Sequence, residues 1–402
     1  MRLHCDVHLP ASKSECHRAL MIAAYGGFAP EIQNHSESKD TQILMEVLQG
    51  LPPIDSNRTA FFRDDIGDNP YVIDIADCGT AARFLTTYLA CHEGIWLLTG
   101  TERMCQRPMV PLVDALRSLG ADIQYVEIEG FLPLQIKGKP LDGGNVSIDM
   151  TQSSQFASSL LLAAPLFPQG LELELLGELN SLPYLEMTLN MMCHFYAQAE
   201  RQDRMVKVRP KPYEKQPFAI EPDWSAASYW YEMAAFSEEC EIRLHGLNGP
   251  SMLRRCSATA NIQGDMIIAE WMQQLGVGTF VEGIDVVLRK IPFKKHPLHF
   301  DFSQHPDLYP TLAATCAGLG IDACFSGLDN LALKESNREK AIEEELAKLG
   351  NSPIHFRSHN DHRIVMALAP LSMLVGEVSF DHPEVVEKSY PNFWKDASFL
   401  RS

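Results

Sequence analysis

Hydrophobic and polar positions recur along the chain as a block that predicts a helix followed by a strand. Residues 111–118 place apolar side chains at helical spacing, and Leu119-Gly120 ends that pattern as a helix stop. Residues 121–128 follow directly and are predicted as a strand. Blocks of this kind predict an α/β protein.

The same block returns at a nearly constant spacing. Gly120 follows Gly50 by 70 residues, Gly350 follows Gly276 by 74, and 156 residues, about two periods, separate Gly120 from Gly276. The missing copy falls near residues 185–195, which are helical in pattern but have no closing glycine. Six units of about 70 residues would account for the whole chain. The plainer alternative, that helix–glycine–strand blocks are common in any α/β protein, stays open at this point.

Composition narrows the class of protein. Among 402 residues, 46% are hydrophobic and 21% are charged, which is typical of a folded globular protein and excludes a disordered chain, a collagen and a coiled coil. The length predicts two or three domains, or one body of repeated units. The net charge of -18 argues against nucleic acid or an anionic membrane as a partner, although a local basic pocket remains compatible with an acidic surface.

Apolar runs, the first residues and the cysteine spacing bear on where the protein is located and on whether it binds a metal. The longest apolar run, residues 364–375, is interrupted by Pro370 and is too short for a membrane span. The first residues are polar and do not resemble a signal peptide. The ten cysteines have neither a Cys-x-x-Cys pair nor zinc-like spacing. We therefore expect a cytoplasmic protein with reduced cysteines and no metal site.

Basic side chains recur where helices are predicted to begin. A helix start is already positive, so a cation there is unfavourable unless an anion docks at the free N–H groups. Solvated surface turns are the alternative for each site alone. Their recurrence through the repeat favours helices that converge on a small substrate with phosphate and carboxylate groups. The cation sites are Lys13 with Arg18, Arg107, and His362 with Arg363 at helix starts, and Lys388 in a turn near the C-terminus.

Three further segments suit such a substrate. Gly79-Thr80 lies between a predicted strand and a predicted helix, and Ser153-Ser154-Gln155 offers uncharged hydrogen-bonding groups before an apolar helix. Lys334 and Arg338 are four apart and are expected to share one helical face. Glu335 between them is a carboxylate placed for proton transfer. Ordinary helix caps and a salt-bridged surface remain the alternatives.

Together these motifs resemble those of the enolpyruvyltransferases, and in particular the branch that acts on shikimate 3-phosphate. The resemblance extends from about Leu9 to Phe393, and so many pieces in one order are specific. In chain order they are Pro10-Ala-Ser-Lys-Ser14, Gly79-Thr-Ala81, Leu98-Thr-Gly100 with Arg103 and Arg107-Pro108, Gly143-Gly-Asn-Val146, Ser153-Ser-Gln-Phe156, Pro183-Tyr184, Asp223 with Ala227-Ser-Tyr229, Pro306-Asp307, Lys334-Glu335 with Arg338, Asn360-Asp-His-Arg363 and Lys388-Ser-Tyr-Pro391.

The resemblance implies a fold: a two-domain inside-out α/β barrel in which each domain has three βαβαββ units. The chain would cross between domains near Ala11 and Glu221. The N-terminal domain would then span residues 12–221 and hold most shikimate 3-phosphate contacts. The C-terminal domain would comprise residues 222–402 together with 1–11 and supply the acid and base groups. The active site would lie in the cleft between them, and ligands would draw the halves together.

The resemblance also implies the reaction and its residues. The 5-hydroxyl of shikimate 3-phosphate would attack C2 of phosphoenolpyruvate while C3 takes a proton, and the adduct would then lose phosphate, with no metal or organic cofactor. We expect a monomer. Shikimate 3-phosphate would contact Lys13, Ser14, Arg18, Ser153, Ser154, Gln155, Ser181, Tyr184, Asp307, Asn330 and Lys334. Phosphoenolpyruvate would contact Lys13, Gly79, Arg107, Gln155, Arg338, Arg363 and Lys388. Asp307 would accept the hydroxyl proton, and Glu335, Lys13, His362 and Lys388 are the candidates for delivering protons.

Four positions depart from the family pattern. Ala11 stands where glycine is usual, Leu182 where lysine is frequent, and Asn337 where aspartate is usual. Asp77 replaces an asparagine, and its carboxylate would repel an anionic substrate unless a neighbour such as Arg83 pairs with it. We expect these departures to affect substrate affinity rather than the type of reaction.

Other functions are less well matched. The related transfer to UDP-N-acetylglucosamine typically has Lys-Asn where this chain has Lys13-Ser14, and lacks the Ser-Ser-Gln run. A non-catalytic ligand-binding relative would not be expected to keep Lys13, Asp307, Glu335 and Lys388. An RNA-end cyclase with the same folding unit is disfavoured by the acidic charge balance.

Overall fold

The computed structural model describes residues 1–51, 70–247, 263–351 and 353–401. The described strands are β1 (Arg2–Val7), β2 (Ile32–Gln33), β3 (Tyr71–Asp74), β4 (Gly94–Thr99), β5 (Asp122–Tyr125), β6 (Leu134–Gly138), β7 (Gly144–Asp149), β8 (Leu171–Leu176), β9 (Gln198–Gln202), β10 (Met205–Arg209), β11 (Phe218–Ala219), β12 (Glu239–Leu244), β13 (Val277–Glu282), β14 (Asp285–Lys290), β15 (Leu298–Asp301), β16 (Ala323–Ser326), β17 (Ile354–Phe356) and β18 (Val378–Phe380).

Helices alternate with these strands, as the sequence pattern predicts. The described α-helices are α1 (Lys13–Gly26), α2 (Lys39–Gly50), α3 (Gly79–Cys91), α4 (Glu102–Cys105), α5 (Val110–Ser118), α6 (Ser154–Ala163), α7 (Leu182–His194), α8 (Trp224–Phe236), α9 (Ile268–Gln273), α10 (Tyr309–Leu319), α11 (Arg338–Leu346), α12 (His362–Leu368), α13 (Ser372–Val375) and α14 (Phe393–Asp396). The helix without a closing glycine, predicted near residues 185–195, is α7. The strand predicted at 121–128 is the shorter β5.

Three four-stranded sheets share one topology. Their orders are β3-β4-β6-β5, β7-β8-β10-β9 and β1-β12-β14-β13. In each, the first two strands are parallel and the remaining neighbours are antiparallel. Helices follow the first and second strands, so each sheet belongs to one βαβαββ unit. In the last sheet, the chain leaves after β1 and returns through α8 to pair β12 with β1.

The remaining strands form three parallel pairs: β2 with β11, β15 with β16, and β17 with β18. The predicted repeat is therefore present in full in three units. In the other three units, the described residues form helices and a single parallel pair of strands instead of a four-stranded sheet.

Helices fill the interior and sheets face outward, which is the inside-out arrangement. All seven residues of α12 are buried. In β7, by contrast, Val146 and Ile148 are buried while Asn145 and Ser147 are exposed, so only one sheet face packs on helices. The longest described helix, α1, has 14 residues, and none of the described helices combines the length and apolar character of a membrane span.

Two hydrophobic cores are present, and two chain segments connect them side by side. One core takes its buried residues from Ala11 to Ile220. The other takes Leu3, Val7 and Leu9, and then residues between 224 and 400. At the passage between cores the Ser12 N–H donates to the Glu221 carbonyl at 2.8 Å, and the Asp223 N–H donates to the Pro10 carbonyl at 2.9 Å. We call the part built on the first core the first half and the rest the second half.

Candidate active site

Two lysines from opposite halves meet at one buried carboxylate. Lys13 starts α1, where Ser12 is the N-cap, and its Nζ lies 2.8 Å from Asp40 Oδ2. Lys388 Nζ lies 3.4 Å from the other oxygen of Asp40 and 2.6 Å from Asp77 Oδ2. It also donates to the Asp77 carbonyl at 3.0 Å. These four residues, Lys13, Asp40, Asp77 and Lys388, form what we call the lysine cluster.

The charges in the lysine cluster stabilise one another. Burial alone would raise the pKa of Asp40, but the charges of Lys13 and Lys388 outweigh it and hold that pKa below its usual range. Burial would lower the pKa of Lys388, but Asp40, Glu335 and Asp77 raise it above its usual range. At neutral pH Asp40 is therefore a carboxylate and Lys388 an ammonium group.

A second charged group lies at the starts of α10, α11 and α12 in the second half. The Arg338 guanidinium donates to Asp361 Oδ2 at 2.8 Å, to Asp307 Oδ1 at 2.8 Å and to Glu335 Oε2 at 2.7 Å. Arg363 donates to Asp307 Oδ2 at 2.8 Å, and Lys334 Nζ lies 3.5 Å from Asp307 Oδ1. We call this group the arginine cluster; its members are Asp307, Lys334, Glu335, Arg338, Asp361 and Arg363.

The carboxylates of the arginine cluster are held in the charged form. Burial would raise the pKa of Asp307, but Arg363, Lys334 and Arg338 together bring it well below its usual range. Burial opposes ionisation of Glu335 in the same way. Arg338, Arg107 and Lys388 overcome that effect and bring its pKa well below the usual value. Neither carboxylate is therefore protonated at neutral pH.

Arg107 and Gly79 join the first half to the arginine cluster. Arg107 Nη1 lies 4.0 Å from Glu335 Oε1. Gly79 is the first residue of α3, and a methyl group on its Cα would lie 2.9 Å from the guanidinium carbon of Arg107, closer than real Cβ contacts. The absence of a side chain at Gly79 therefore allows Arg107 to approach the N-terminus of α3, where an anion would be favoured.

His362 lies in this region as a neutral imidazole. It is 1% exposed, and burial lowers its pKa to about 3. Among the described residues, neither ring nitrogen has a hydrogen-bond partner, and Nδ1 lies 3.6 Å from Asp361 Oδ1. A neutral ring can pass on a proton or orient a ligand, but it adds no positive charge at neutral pH.

The hydroxyl, amide and remaining guanidinium groups predicted to bind the substrate lie beside the two clusters. Arg18 is buried, and it donates to Thr188 Oγ1 at 2.7 Å and to the carbonyls of Ser14 at 2.8 Å and Tyr184 at 3.1 Å. Burial lowers its pKa to about 10, which leaves it charged. Gln155 donates to Thr80 Oγ1 at 3.2 Å, next to Gly79.

Four more predicted residues lie at the starts of helices or in a short helical segment. Ser153 is the N-cap of α6 and accepts from the Gln155 N–H, and Ser154 behind it is buried. Ser181 has a positive φ of 56°, and its N–H donates to the Ser303 carbonyl in the second half at 2.9 Å. Asn330 is buried in the short 3-10 segment Asp329–Leu333, just before Lys334.

Three local expectations differ from the structure. Lys334 and Arg338 do not share a helical face, because α11 begins only at Arg338; they meet instead at Asp307. Asp77 pairs with Lys388 and not with Arg83, whose buried guanidinium donates to the carbonyls of Gly79 and Pro108. Gly79 and Thr80 are not a separate turn, since α3 already includes them.

The sequence alone did not reveal three carboxylates that hold the site together. Asp40 was hidden because an acidic residue after a Ser38 N-cap is an ordinary helix start. Asp361 has no role of its own in the sequence prediction, yet it caps α12 and accepts from Arg338. Asp265 accepts from the Tyr184 hydroxyl at 3.1 Å across the two halves.

Outside this region, Glu344, Glu345 and His359 present ligand-type atoms close together. Glu345 already accepts from Lys348, from the Arg357 N–H and from His359. This group is therefore a satisfied salt-bridge network, and we assign it no metal.

The chain matches a known family over almost its whole length. Residues 1–397 match the family described as EPSP synthase (3-phosphoshikimate 1-carboxyvinyltransferase). A Bacteroides fragilis protein named 3-phosphoshikimate 1-carboxyvinyltransferase is 39% identical over an alignment that covers 98% of this chain and 95% of that protein. One of the same name from Syntrophobacter fumaroxidans is 32% identical over 100% of this chain and 98% of its own length.

Solved structures agree on the fold. EPSP synthase from Acinetobacter baumannii superposes with a TM-score of 0.68 at 19% identity, covering 99% of this chain and 96% of that one. An enolpyruvyl transferase from Streptomyces tendae gives 0.66 at 16% identity, covering 99% and 95%. The predicted two-domain inside-out α/β fold is thereby confirmed. The chain belongs to the EPSP synthase family.

Proposed function

We propose that this protein transfers the enolpyruvyl group of phosphoenolpyruvate to the 5-hydroxyl of shikimate 3-phosphate, releasing phosphate. Beyond family membership, the observation that supports this proposal is that cations from distant parts of the chain meet at three neighbouring carboxylates, Asp40, Glu335 and Asp307. Lys13 and Arg107 come from the first half and Lys334, Arg363 and Lys388 from the second. Two acidic metabolites bound side by side require such a concentration of positive charge.

In the proposal, Lys13, Arg107 and Lys388 hold the phosphate and carboxylate of phosphoenolpyruvate, near Gly79 and Gln155. Arg338 and Arg363 contribute from the second half. Shikimate 3-phosphate lies against Ser153, Ser154 and Gln155, with Ser14, Arg18, Ser181, Tyr184, Asn330 and Lys334 around it. Asp307 lies beside Lys334, which would place it near the shikimate ring.

Substrate binding would exchange the partners of the cations. In the structure, Arg363, Arg338 and Lys334 surround Asp307, which makes it a weak base. Substrate anions that draw these cations away would raise the pKa of Asp307 and of Glu335. The site would then acquire its acid–base strength only when both substrates are bound.

The chemistry follows from that exchange. Asp307 accepts the proton of the 5-hydroxyl as the oxygen bonds to C2 of phosphoenolpyruvate, and protonated Glu335 gives a proton to C3. In the second step Glu335 takes back a proton from C3, the C2–O bond to phosphate breaks, and the leaving phosphate gains the proton held by Asp307. Lys13 and Lys388 stabilise the departing charge and can relay that proton. His362, neutral here, is better suited to orienting the phosphate than to acting as the acid.

The decisive experiment measures phosphate release from phosphoenolpyruvate by the purified protein. We expect release with shikimate 3-phosphate and none with UDP-N-acetylglucosamine. Release only with the sugar nucleotide would assign the related transfer. Tight binding of shikimate 3-phosphate without turnover would indicate a binding protein.

Three further assignments belong to the same proposal. The two cores and the paired crossing support domains of residues 12–221 and of 222–402 together with 1–11. A monomer is supported because one chain supplies both charged clusters, and light scattering with ligands present would test it. A cytoplasmic location is supported by the free thiols of all the cysteines in the described ranges.

A further inference from the structure

Arg103 from the first half binds the backbone of a segment in the second half. It lies on α4, and its guanidinium donates to the carbonyls of Lys334 at 2.8 Å, Glu335 at 3.0 Å and Ala332 at 3.2 Å. We propose that Arg103 is a positioning residue, which fixes the backbone that presents Glu335 to the substrates when the halves meet. This inference rests on the proposed function.

The geometry suits one guanidinium. The short 3-10 segment ends at Leu333, and Lys334 continues in an extended conformation with φ -80° and ψ -164°. Carbonyls at the end of a helical segment lack partners within it, and a planar guanidinium has five N–H donors with which to satisfy several of them. In the part of the chain that the structure describes, Arg103 forms no ion pair. It therefore holds a backbone path rather than neutralising a carboxylate.

The bound segment supplies two side chains to the arginine cluster. Lys334 reaches Asp307, and Glu335 lies between Arg338 and Arg107. Arg103 contacts the backbone of this segment from the first half, whereas Arg107 contacts the Glu335 side chain. Displacing reacting groups by about 1 Å can cost about a hundredfold in rate. Loss of Arg103 should therefore reduce turnover through Glu335. The long, flexible side chain of Lys334 can still reach shikimate 3-phosphate when its backbone shifts by this amount.

The test compares Arg103→Met, Arg103→Lys and the control Arg117→Met. Arg117 also donates to a backbone carbonyl, that of Ile123, but within the first half. The wild-type protein is assayed first; if it shows no turnover, the proposed function fails and not the positioning role. With turnover present, we expect kcat to fall at least tenfold in Arg103→Met and less in Arg103→Lys. The KM values should change less than threefold, and Arg117→Met should match the wild type.

A double variant identifies the mechanism. If Arg103 acts through Glu335, Arg103→Met should lower kcat less than threefold in a Glu335→Gln background, because there is no longer a carboxylate to position. Radiolabelled phosphoenolpyruvate followed over hours keeps slow turnover measurable. Fully multiplicative losses, or an unchanged kcat in the single variant, would overturn the proposal. If Arg103→Met melts below the wild type, the same cycle is measured with Arg103→Lys.

Discussion

The lysine cluster and the arginine cluster both pair buried charges of opposite sign, but their residues come from different parts of the chain. The arginine cluster takes all six residues from positions 307–363, in the second half. The lysine cluster takes Lys13, Asp40 and Asp77 from the first half and Lys388 from the second. The arginine cluster can therefore form when the second half folds, whereas the lysine cluster is complete only when the halves touch.

The difference also appears in the chemistry of the cations. Arg338 uses its planar guanidinium to bridge three carboxylates, which a lysine cannot do. Lys13 and Lys388 are point charges that share Asp40. Removing one lysine leaves the buried carboxylate with a partner, but removing Arg338 leaves three carboxylates short of a partner. We infer that the arginine cluster supports folding and that the lysine cluster responds to closure.

The largest expected effect is the loss of Arg338. Arg338→Met should lower the free energy of unfolding by about 3–5 kcal/mol, because buried Asp361 loses its guanidinium counterion while Asp307 and Glu335 each lose one of their cations. Lys388→Met should lower the free energy of unfolding by less than half as much, since Asp40 keeps its ion pair with Lys13. Urea denaturation of both variants measures the two losses. Equal losses would contradict the division between a folding cluster and a closure cluster.

Each cluster also has a buried neutral histidine, and these should make stability depend on pH. His17, whose Nε2 lies 3.1 Å from Thr41 Oγ1, borders the lysine cluster, and His362 belongs beside the arginine cluster. Burial lowers the pKa of both to about 3, against about 6.5 in an unfolded chain. As the pH falls, the histidines bind protons in the unfolded state first. The contribution of His17 and His362 to the free energy of unfolding is therefore present above pH 6.5 and is lost as the pH falls toward 3. When the pH falls from 7.5 to 5.5, each histidine should lower the free energy of unfolding by about 1.4 kcal/mol.

Comparison with variants isolates these two contributions. Buried Glu232, whose pKa burial raises well above its usual value, acts in the opposite direction over the same range. The measurement is therefore the change in unfolding free energy between the two pH values, for wild type against His17→Gln and His362→Gln. Each variant should differ from the wild-type change by about 1.4 kcal/mol. A difference in only one variant would mean that the two clusters do not exclude protons equally.

Contact between Arg107 and Gly79 is the next most sensitive feature. In Gly79→Ala the new methyl group would displace the guanidinium, and we expect the KM for phosphoenolpyruvate to rise about tenfold, equivalent to about 1.4 kcal/mol. Gly50→Ala is the matched control, because the nearest atom to its Cβ position is the Tyr71 hydroxyl at 3.8 Å. An unchanged KM in Gly79→Ala would show that Arg107 does not contribute to that affinity.

The sequence predicted the fold and the cations better than it predicted their partners. The spacing of glycines indicates the repeat because α5, α9 and α11 are each followed within four residues by a glycine with positive φ, Gly120, Gly276 or Gly350. It could not find the paired strands β2 and β11, each two residues long and 186 positions apart at Ile32 and Phe218. Lys13 and Arg363 stand out in the sequence because a cation at a helix start is unfavourable alone. Asp40 does not, because a carboxylate at a helix start is favourable.

Local pattern also could not assign pairs across the two halves. Arg83 is six residues from Asp77 and was the natural local partner, but Lys388 is 311 residues away and occupies that role. Arg103 belonged to a recognised motif, yet its function depends on backbone carbonyls more than 200 residues further on. Such pairs form because of the way the two halves pack together. The periodicity of side chains along the sequence contains no information about that packing.

The smallest expected effect concerns Asp77, the most exposed member of the lysine cluster. Its side chain is 41% exposed, against 3% for Asp40, so its pairing with Lys388 should be worth less than about 1 kcal/mol. In Asp77→Asn, Lys388 keeps Asp40 and the main-chain carbonyl of residue 77. Removing one negative charge should then lower the KM for phosphoenolpyruvate about two- to threefold. Asp40→Asn is the matched change at the buried member and should instead destabilise the protein. If the two variants lost equal stability, exposure would not set the strength of these pairs, and Asp77 would be as necessary to the closed site as Asp40.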